Sequence, residues 1–186
     1  MLPDKTACAR QQNPHPCFPS HRVKEDCMEN KALQRALISG ATSSVLSTVA
    51  MALVGKIQSG SAFAPTNAVS HYVHGQKAGY RDRFSLRYTV PGYLIHHASA
   101  TFWSFVFERA LGGVMDGKNP MAIAASSAAT SAFAAFTDYK LTPRALQPGY
   151  EKRMSRNALG VVYVGFAIGL AIGAILTRKD QPLTPG

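Results

Sequence analysis

Four long runs without a charged residue constrain this chain more than any other feature of its sequence. They cover residues 36–55, 90–107, 119–137 and 157–177. A helix rises 1.5 Å per residue, so about 20 mostly apolar residues cross the roughly 30 Å hydrocarbon core of a bilayer. A soluble helix of this length would carry a polar stripe every three or four positions. We therefore predict an all-α, polytopic membrane protein built as a bundle of four transmembrane helices.

The same runs set the predicted domain organisation. The membrane domain covers residues 34–178, followed by a short carboxyl tail at 179–186. Its spans are predicted at about 36–56, 91–111, 119–138 and 157–177.

The amino tail, residues 1–33, is polar and is predicted to be disordered. Pro14, Pro16 and Pro19 exclude a regular helix in its first part, because proline lacks a donor and fixes its own backbone. Met28 opens a compact start before the first run. An alternative is therefore that Met28 is the initiator and that residues 1–27 are an over-extended start.

The net charge of +10 favours a membrane surface over nucleic acid as the partner, because the basic residues flank the apolar runs. We expect anionic headgroups near a basic set in the first and third loops, namely Arg81, Arg83, Arg87, Lys152 and Arg153. The positive-inside rule gives no orientation, since ten Lys and Arg fall on each side of a four-span topology. A polar tail without a secretory signal is more easily left in the cytoplasm, so we expect both termini there, in a bacterial inner membrane.

The long first loop carries two predicted helical segments. The first begins at Pro65 and continues to Val73, before Gly75. The second is GYRDRFSLRY, residues 79–88, in which an aromatic side chain recurs every four positions among arginines. That spacing predicts a basic amphipathic helix lying in the headgroup layer.

Small residues at four-residue spacing predict close helix packing in two of the spans, since small side chains let helix backbones approach in lipid. The first span carries Gly40, Ser44 and Thr48 on one line, and the last carries Gly165, Gly169 and Gly173. The partner of these faces is left open between another helix of the chain and a second copy.

His96 and His97 are the residues inside an apolar run that can ionise near neutral pH. An ionisable group within a span is a candidate functional site. Imidazole can carry a proton or bind haem iron, and in the second case His71 or His74 would have to supply the other ligand. The bland alternative is that both residues lie near the membrane edge and pack. No paired-carboxylate, nucleophile, phosphate-loop or metal-binding motif is present, so we expect no catalytic residue, metal or cofactor.

Parts of the sequence resemble bacterial inner-membrane families known as domains of unknown function. The resemblance rests on the Ser/Thr/Ala-rich first span, on PGYLIHHASATFW at residues 91–103, on TDYKLTPRALQPGYEKRMS at residues 137–155 and on the glycine-rich last span. It covers roughly residues 34–178 and implies a four-span membrane fold, with no established activity to carry over.

Three functions remain open on the sequence. The first is a non-enzymatic structural or accessory membrane protein that can form a homo-oligomer through Gly169 and its neighbours. The second is a small transporter or proton-coupled permeation unit that uses His96 or His97. The third is a haem-binding redox subunit.

Overall fold

The computed structural model describes residues 21–117 and 119–178, and every regular element in them is helical. The α-helices are α1 (His21–Ser59), α2 (Ala64–Val69), α3 (His71–His74), α4 (Thr89–Met115), α5 (Pro120–Phe136) and α6 (Arg156–Arg178). Short 3₁₀ turns occupy Gln76–Tyr80, Arg144–Leu146 and Tyr150–Lys152, and a π-helical turn occupies Thr137–Leu141. The all-α prediction is confirmed.

Two helices are long and apolar enough to cross a membrane. They are the part of α1 from Met28 to Ser59 and the whole of α6, whose most apolar 18-residue stretches have mean hydropathies of 1.7 and 2.4. The remaining two long helices fall outside this group for different reasons. In α4, His96 and His97 lower the hydropathy, whereas α5 is only 17 residues long.

The four long helices pack in a cyclic order in which every neighbour is antiparallel. Helix α1 lies between α4 and α6 with its most extensive contacts to α6, and α5 packs against both α4 and α6. One short connection, between Met115 and Pro120, joins α4 to α5. The longer first and third loops lie at the other end of the helices, where they contact each other. One end of the molecule therefore carries the chain ends of α1 and α6, and the other carries the two loops.

The glycines of α6 lie against the backbone of α1. A Cβ placed on Gly169 would lie 2.2 Å from the Ser43 Cα, and one on Gly173 would lie 2.4 Å from the Ser39 Cα. The contact loosens at Gly165, where the nearest atoms are 3.2 Å away. These glycines thus contact a helix of the same chain, and the approach is closest toward the carboxyl end of α6.

The predicted small face of α1 contacts α4 at Gly40. A Cβ on Gly40 would lie 2.8 Å from the Thr101 Cα of α4, so Gly40 faces α4. Ser44 is fully buried, and the hydroxyl groups of Ser44 and Thr48 have no hydrogen-bond partner among residues 28–117 and 119–178.

The first and third loops pack together as one cap over the end of the helices. The Tyr72 hydroxyl donates to the Leu146 carbonyl at 2.6 Å, and Arg153 pairs with Asp82. Gly149 sits at φ +97°, and a Cβ placed on it would lie 2.7 Å from the Ala68 carbonyl oxygen, so a side chain would have neither the room nor the backbone freedom. The predicted helix at 65–73 is present as two short helices that break at Ser70.

The predicted amphipathic helix at 79–88 is wrong. The chain from Arg81 onward is irregular up to the start of α4 at Thr89. The buried Asn67 side chain donates to the carbonyls of Arg81 and Arg83, at 2.9 and 3.0 Å. The Ser61 hydroxyl donates to the carbonyl between them, that of Asp82. These three carbonyls accept from side chains in or just before α2, namely Asn67 and Ser61. They therefore cannot accept the backbone hydrogen bonds that a helix at 79–88 would need.

The predicted disordered tail at 1–33 also needs correction, because α1 already begins at His21. After Pro19 the sequence is rich in strong helix formers and contains no proline or glycine before Gly40, so a helix extends well outside the apolar run. The first 20 residues, and the carboxyl tail predicted at 179–186, lie outside the described residues.

Candidate functional site

Hydroxyl groups line the interface between α1 and α4. Ser39, Ser43 and Ser47 recur every four residues on α1, so they share one face, and all three are fully buried. Each meets a polar group of α4: Ser39 donates to Glu108 at 3.3 Å, Ser43 lies 3.4 Å from the Ser104 hydroxyl, and Ser47 lies 2.8 Å from His96 Nε2. We call these three serines the serine seam. It runs from Glu108 at one end of α4 to His96 near the other.

A cluster of charged side chains closes the first end of the seam. The Arg178 guanidinium forms a fork with the Glu108 carboxylate, with Nη2–Oε2 at 2.7 Å and Nη1–Oε1 at 3.2 Å. Asp116 Oδ1 accepts from Arg178 Nε at 3.1 Å and from Arg35 Nη1 at 2.7 Å. Arg35, Glu108, Asp116 and Arg178 form what we call the charge cluster, in which two positive and two negative groups cancel.

Burial makes this cluster unusual. Arg178 is 1% exposed and Glu108 is 4% exposed. Removing such ions from water is costly, and only a well-aligned pair with further hydrogen bonds offsets the cost. The Ser39 hydroxyl and the carbonyls of Ala174 and Gly112 supply those further bonds. Glu108 and Arg178 each follow directly after an uncharged run in the sequence, and in the fold they form a buried ion pair between α4 and α6.

A small cavity lies at the other end of the seam. Its volume is about 30 Å³, enough for a water molecule. All four long helices and the third loop contribute to its wall, which combines an imidazole, a carboxylate, hydroxyl groups and aromatic rings. The lining includes Ser47, His96, Ser99, Trp103, Asp138, Tyr150, Tyr163 and Phe166. We call it the His96 cavity.

The hydrogen bonds of Ser47 fix the role of His96. The Ser47 hydroxyl donates to the Ser43 carbonyl at 2.7 Å, so we assign its oxygen as the acceptor of the 2.8 Å hydrogen bond from His96 Nε2. In a neutral imidazole, Nδ1 is then an acceptor. His97, the neighbouring candidate, does not line the cavity; it stacks on Tyr93 with ring centroids 5.9 Å apart.

Asp138 brings a carboxylate to the same cavity. It lies in the π-helical turn Thr137–Leu141, where the wider turn follows directly on α5. Such insertions re-aim side chains and often occur at functional sites. The Tyr163 hydroxyl donates to Asp138 Oδ2 at 2.6 Å and lies 3.2 Å from the Tyr150 hydroxyl. Burial, and then the nearby Asp138 carboxylate, raise the pKa of Tyr150, so this phenol keeps its proton.

The two inward-facing carboxylates differ in their partners. Glu108 has Arg178, whereas Asp138 forms no ion pair with any lysine or arginine among residues 28–117 and 119–178.

Burial, together with the negative charges of Asp138 and Glu151, raises the pKa of Tyr72 in the first loop. The negative field of this region therefore extends into the cap.

The remaining histidine candidates lie in the cap. His71 Nδ1 lies 3.0 Å from the Ala68 carbonyl, and His74 contacts the Tyr88 ring at 5.1 Å between centroids. Neither lines the His96 cavity. Of the four predicted histidines, only His96 therefore belongs to the site.

Sequence reasoning missed Asp138, Tyr163 and the serine seam. One signal was available, because the spacing of four in Ser39, Ser43 and Ser47 predicts a single polar face. The pairing of Asp138 with Tyr163 depends on tertiary contacts between α5 and α6 and has no signature along the chain.

In the part of the chain that the structure describes, no group of three His, Cys, Asp or Glu is placed to hold a metal ion. The chain matches no protein-family model, no curated protein and no solved structure.

Proposed function

We propose that this chain is an integral membrane protein whose four long helices all cross the bilayer as one bundle. The observation that carries the proposal is an inverted burial pattern. On α1 the seam serines are fully buried, whereas Val45 is 50% exposed, and on α6 Ile168 is 51% exposed. A soluble protein places hydroxyls outside and branched aliphatic residues inside. Hydrocarbon outside the helices reverses that preference, because only the interior can satisfy polar groups.

Helix α5 supports the proposal most strongly, although its hydropathy and length are modest. All four of its hydroxyl residues are buried, namely Ser126, Ser127, Thr130 and Ser131. Every exposed position from 121 to 136 is Met, Ala or Phe. At 1.5 Å per residue its 17 residues cover about 25 Å, and the following π-helical turn extends it toward the thickness of the hydrocarbon core.

Helix α4 fits the same arrangement. Its large exposed residues near the middle are Leu94 and Phe102, whereas Ser104 and Glu108 face inward. His96, which lowers its hydropathy, bonds to Ser47 inside the bundle rather than facing lipid. A polar group that faces the interior adds little to the cost of insertion.

Cysteine labelling from each side of the membrane distinguishes a topology with four spans from one in which only α1 and α6 cross. We would replace Cys8, Cys17 and Cys27 by serine, introduce one cysteine at Lys77 or at Gly117, and label with a membrane-impermeant maleimide. Four spans place residues 77 and 117 on opposite sides, so intact spheroplasts should label one and inverted vesicles the other. Labelling of both positions from the same side would leave α4 and α5 outside the bilayer and would refute the proposal.

For the activity, we propose a small transport or proton-coupled unit centred on His96. An imidazole, a carboxylate and a cavity meet between the four helices, which a purely structural role does not require. The α6 glycines are already covered by α1, so an accessory role through a glycine-mediated dimer would need another surface. A cavity of about 30 Å³ is far too small for a porphyrin, so the haem alternative gains no support.

Proteoliposomes with an internal pH-sensitive dye test this activity. An imposed membrane potential should drive a proton flux that His96→Ala abolishes, whereas His74→Ala in the cap should leave it unchanged. Ser47→Ala keeps the imidazole but removes its bond to α1, so it should reduce the flux without removing it. Absence of proton flux in the wild-type chain, or full flux in His96→Ala, would reject proton transport through His96.

We further propose that the cap contacts anionic lipid. Arg81, Arg83 and Arg87 are exposed, and two of them, Arg81 and Arg87, lie over the Tyr88 ring at 5.4 and 5.7 Å. Arg153 is paired with Asp82, so the headgroup contact expected near it falls instead to its exposed neighbour Lys152. Exposed aromatic rings such as Tyr80 complete a surface suited to the headgroup layer. A bacterial inner membrane would supply the anionic lipid.

A further inference from the structure

We infer that the His96 cavity binds one small monovalent cation that donates hydrogen bonds, of the ammonium class, with Asp138 as its counter-charge. The inference rests on the proposed transport function and names the chemical class of its ligand. Four features of the cavity support it: the charge, the acceptors, the walls and the size.

The charge comes from Asp138. Asp138 is part-buried, and a carboxylate partly removed from water is stabilised by a cation or a proton that balances its charge. This chain solves that problem for Glu108 with the Arg178 fork, but among residues 28–117 and 119–178 the hydrogen-bond partner of the Asp138 carboxylate is one phenol hydroxyl, that of Tyr163. A single negative charge at a cavity wall is therefore left for a ligand to balance.

The acceptors suit a donor cation. Tyr163 occupies Asp138 Oδ2, and the other carboxylate oxygen has no bond to another described residue. His96 Nδ1 is an acceptor, because Nε2 bonds to Ser47. Ser99, which is also exposed, and Tyr150 are further hydroxyl-bearing residues of the lining. This makes one carboxylate with a few neutral acceptors, which matches the four N–H groups of ammonium.

The walls and the size narrow the choice further. Trp103 and Phe166 line the cavity, and aromatic rings attract ammonium groups through their negative faces. Ammonium is close to water in size, and about 30 Å³ admits one such molecule but no larger organic cation. A divalent ion such as calcium needs six to eight oxygen ligands, and the described residues supply no cluster of that kind.

The single tryptophan of the chain provides a reporter inside the site, because Trp103 is itself a wall residue. The wild-type protein in nanodiscs would be titrated with ammonium chloride while N-methyl-D-glucamine chloride keeps the ionic strength constant. We expect a saturable change in Trp103 fluorescence with ammonium, at concentrations at least roughly tenfold below those needed with sodium or potassium. An equal response to all salts, tighter binding of sodium or potassium, or no response to ammonium would overturn the inference.

Asp138→Asn tests the counter-charge, since the amide keeps the shape and still accepts from Tyr163. It should weaken the ammonium midpoint roughly tenfold or more, whereas Asp82→Asn, on the exposed ion pair of the cap, should leave it unchanged. Unchanged binding in Asp138→Asn contradicts the assignment. Infrared spectroscopy of the wild-type protein gives a reading that needs no variant to fold: an Asp138 carbonyl band of a protonated acid, insensitive to ammonium, would mean that a proton balances the charge instead.

Binding and transport fail separately. Ammonium binding without any flux in proteoliposomes would remove the transport function and keep the site. Flux that depends on His96 without ammonium binding would keep the transport function and remove this ligand.

Discussion

Two carboxylates point into the interior of this protein, near opposite ends of the serine seam, and the chain treats them differently. Glu108 lies in a fork of the Arg178 guanidinium, and the charge cluster around it is neutral. Asp138 has a phenol hydroxyl at 2.6 Å and borders a cavity. A buried charge whose partner is built in stabilises one arrangement of helices, whereas a part-buried charge with no cationic partner among the described residues is available to a ligand. We call the Glu108 end of the serine seam the locked end, because its charge is paired inside the protein. We call the Asp138 end the working end, because its charge borders a cavity that can hold a ligand.

The packing of α1 against α6 follows the same division. At the Glu108 end, Gly169 and Gly173 leave no room for a methyl group, and toward the Asp138 end Gly165 is less crowded. Close helix contact and a satisfied ion pair both limit motion at the locked end. The looser contact lies where the cavity is found.

The largest effect should come from breaking the charge cluster. Arg178→Met leaves Glu108 buried without its cation, so we expect a loss of about 3–5 kcal/mol in the free energy of unfolding. Unfolding in mixed micelles of dodecyl sulfate measures it. Arg109→Gln, at an exposed arginine next to Glu108, is the matched control and should change the free energy by less than about 0.5 kcal/mol. A loss below about 1 kcal/mol for Arg178→Met would show that the locked end is not locked by this pair.

Replacing both partners sharpens the same point. In Glu108→Met with Arg178→Met no charge is left unpaired, and buried ion pairs exchanged for packed apolar groups are often neutral. The double variant should therefore recover most of the stability lost by Arg178→Met alone. A double variant as unstable as the single one would assign the loss to packing of the Arg178 stem rather than to charge.

The next effect should come from the α1–α6 contact. Gly169→Ala forces a methyl group toward the Ser43 Cα, and overpacking of this kind costs about 1–3 kcal/mol. Gly160 lies on the same helix with nothing within 4 Å of its virtual Cβ, so Gly160→Ala should be neutral or slightly stabilising. Gly165→Ala should fall between them. Equal tolerance at all three positions in the same unfolding assay would remove the difference between the two ends.

The exposed arginines of the cap allow a test of lipid contact at the end of the molecule that contains Asp138. Replacing Arg81, Arg83 and Arg87 together by Gln removes three exposed positive charges, each contributing about 1 kcal/mol to attraction for an anionic surface. Native mass spectrometry from mixed lipid should show fewer anionic lipids retained. Arg35 and Arg178 face inward, so the opposite end offers fewer exposed arginines for the same purpose. Retention that does not change would show that lipids contact another surface.

The smallest effect on stability should come from Asp138→Asn, and this smallness is itself informative. The amide removes a charge that has no cation in the described chain, so the change should stay within about 1 kcal/mol. Ammonium should raise the stability of the wild-type protein and not that of the variant, because a ligand that binds only the folded state stabilises it. A loss as large as that of Arg178→Met would make Asp138 a structural group like Glu108.

Much of the helical framework is predictable from sequence, because charge-free runs and helix periodicity are local. The four uncharged runs lie along the four long helices α1, α4, α5 and α6, although α1 begins earlier, and two of these helices are long and apolar enough to cross a membrane. The start of α1 was missed because spans were predicted from uncharged runs alone. Charged residues with high helix propensity before residue 36 extend the same helix toward His21. Asn67 explains why residues 81–88 are not helical, and that effect depends on a side chain 14 residues earlier.

The candidate site was only partly predictable. His96 stood out because its run was otherwise uncharged, but Asp138, Glu108 and Arg178 looked alike as charges that end spans. Their partners lie far along the chain: Arg178 and Glu108 are 70 residues apart. Which of these charges is balanced within the protein depends on the tertiary packing of α4 and α6.

Spin labels on α5 test most directly whether lipid surrounds these helices. In a background without native cysteines, a label at Ala128 lies on the exposed face of α5, and one at Ser127 lies on the buried face. In nanodiscs we expect the label at Ala128 to be accessible to oxygen and protected from a water-soluble nickel chelate, and the label at Ser127 to be protected from both. Strong relaxation of the Ala128 label by the nickel chelate would place α5 in water and contradict the four-span bundle.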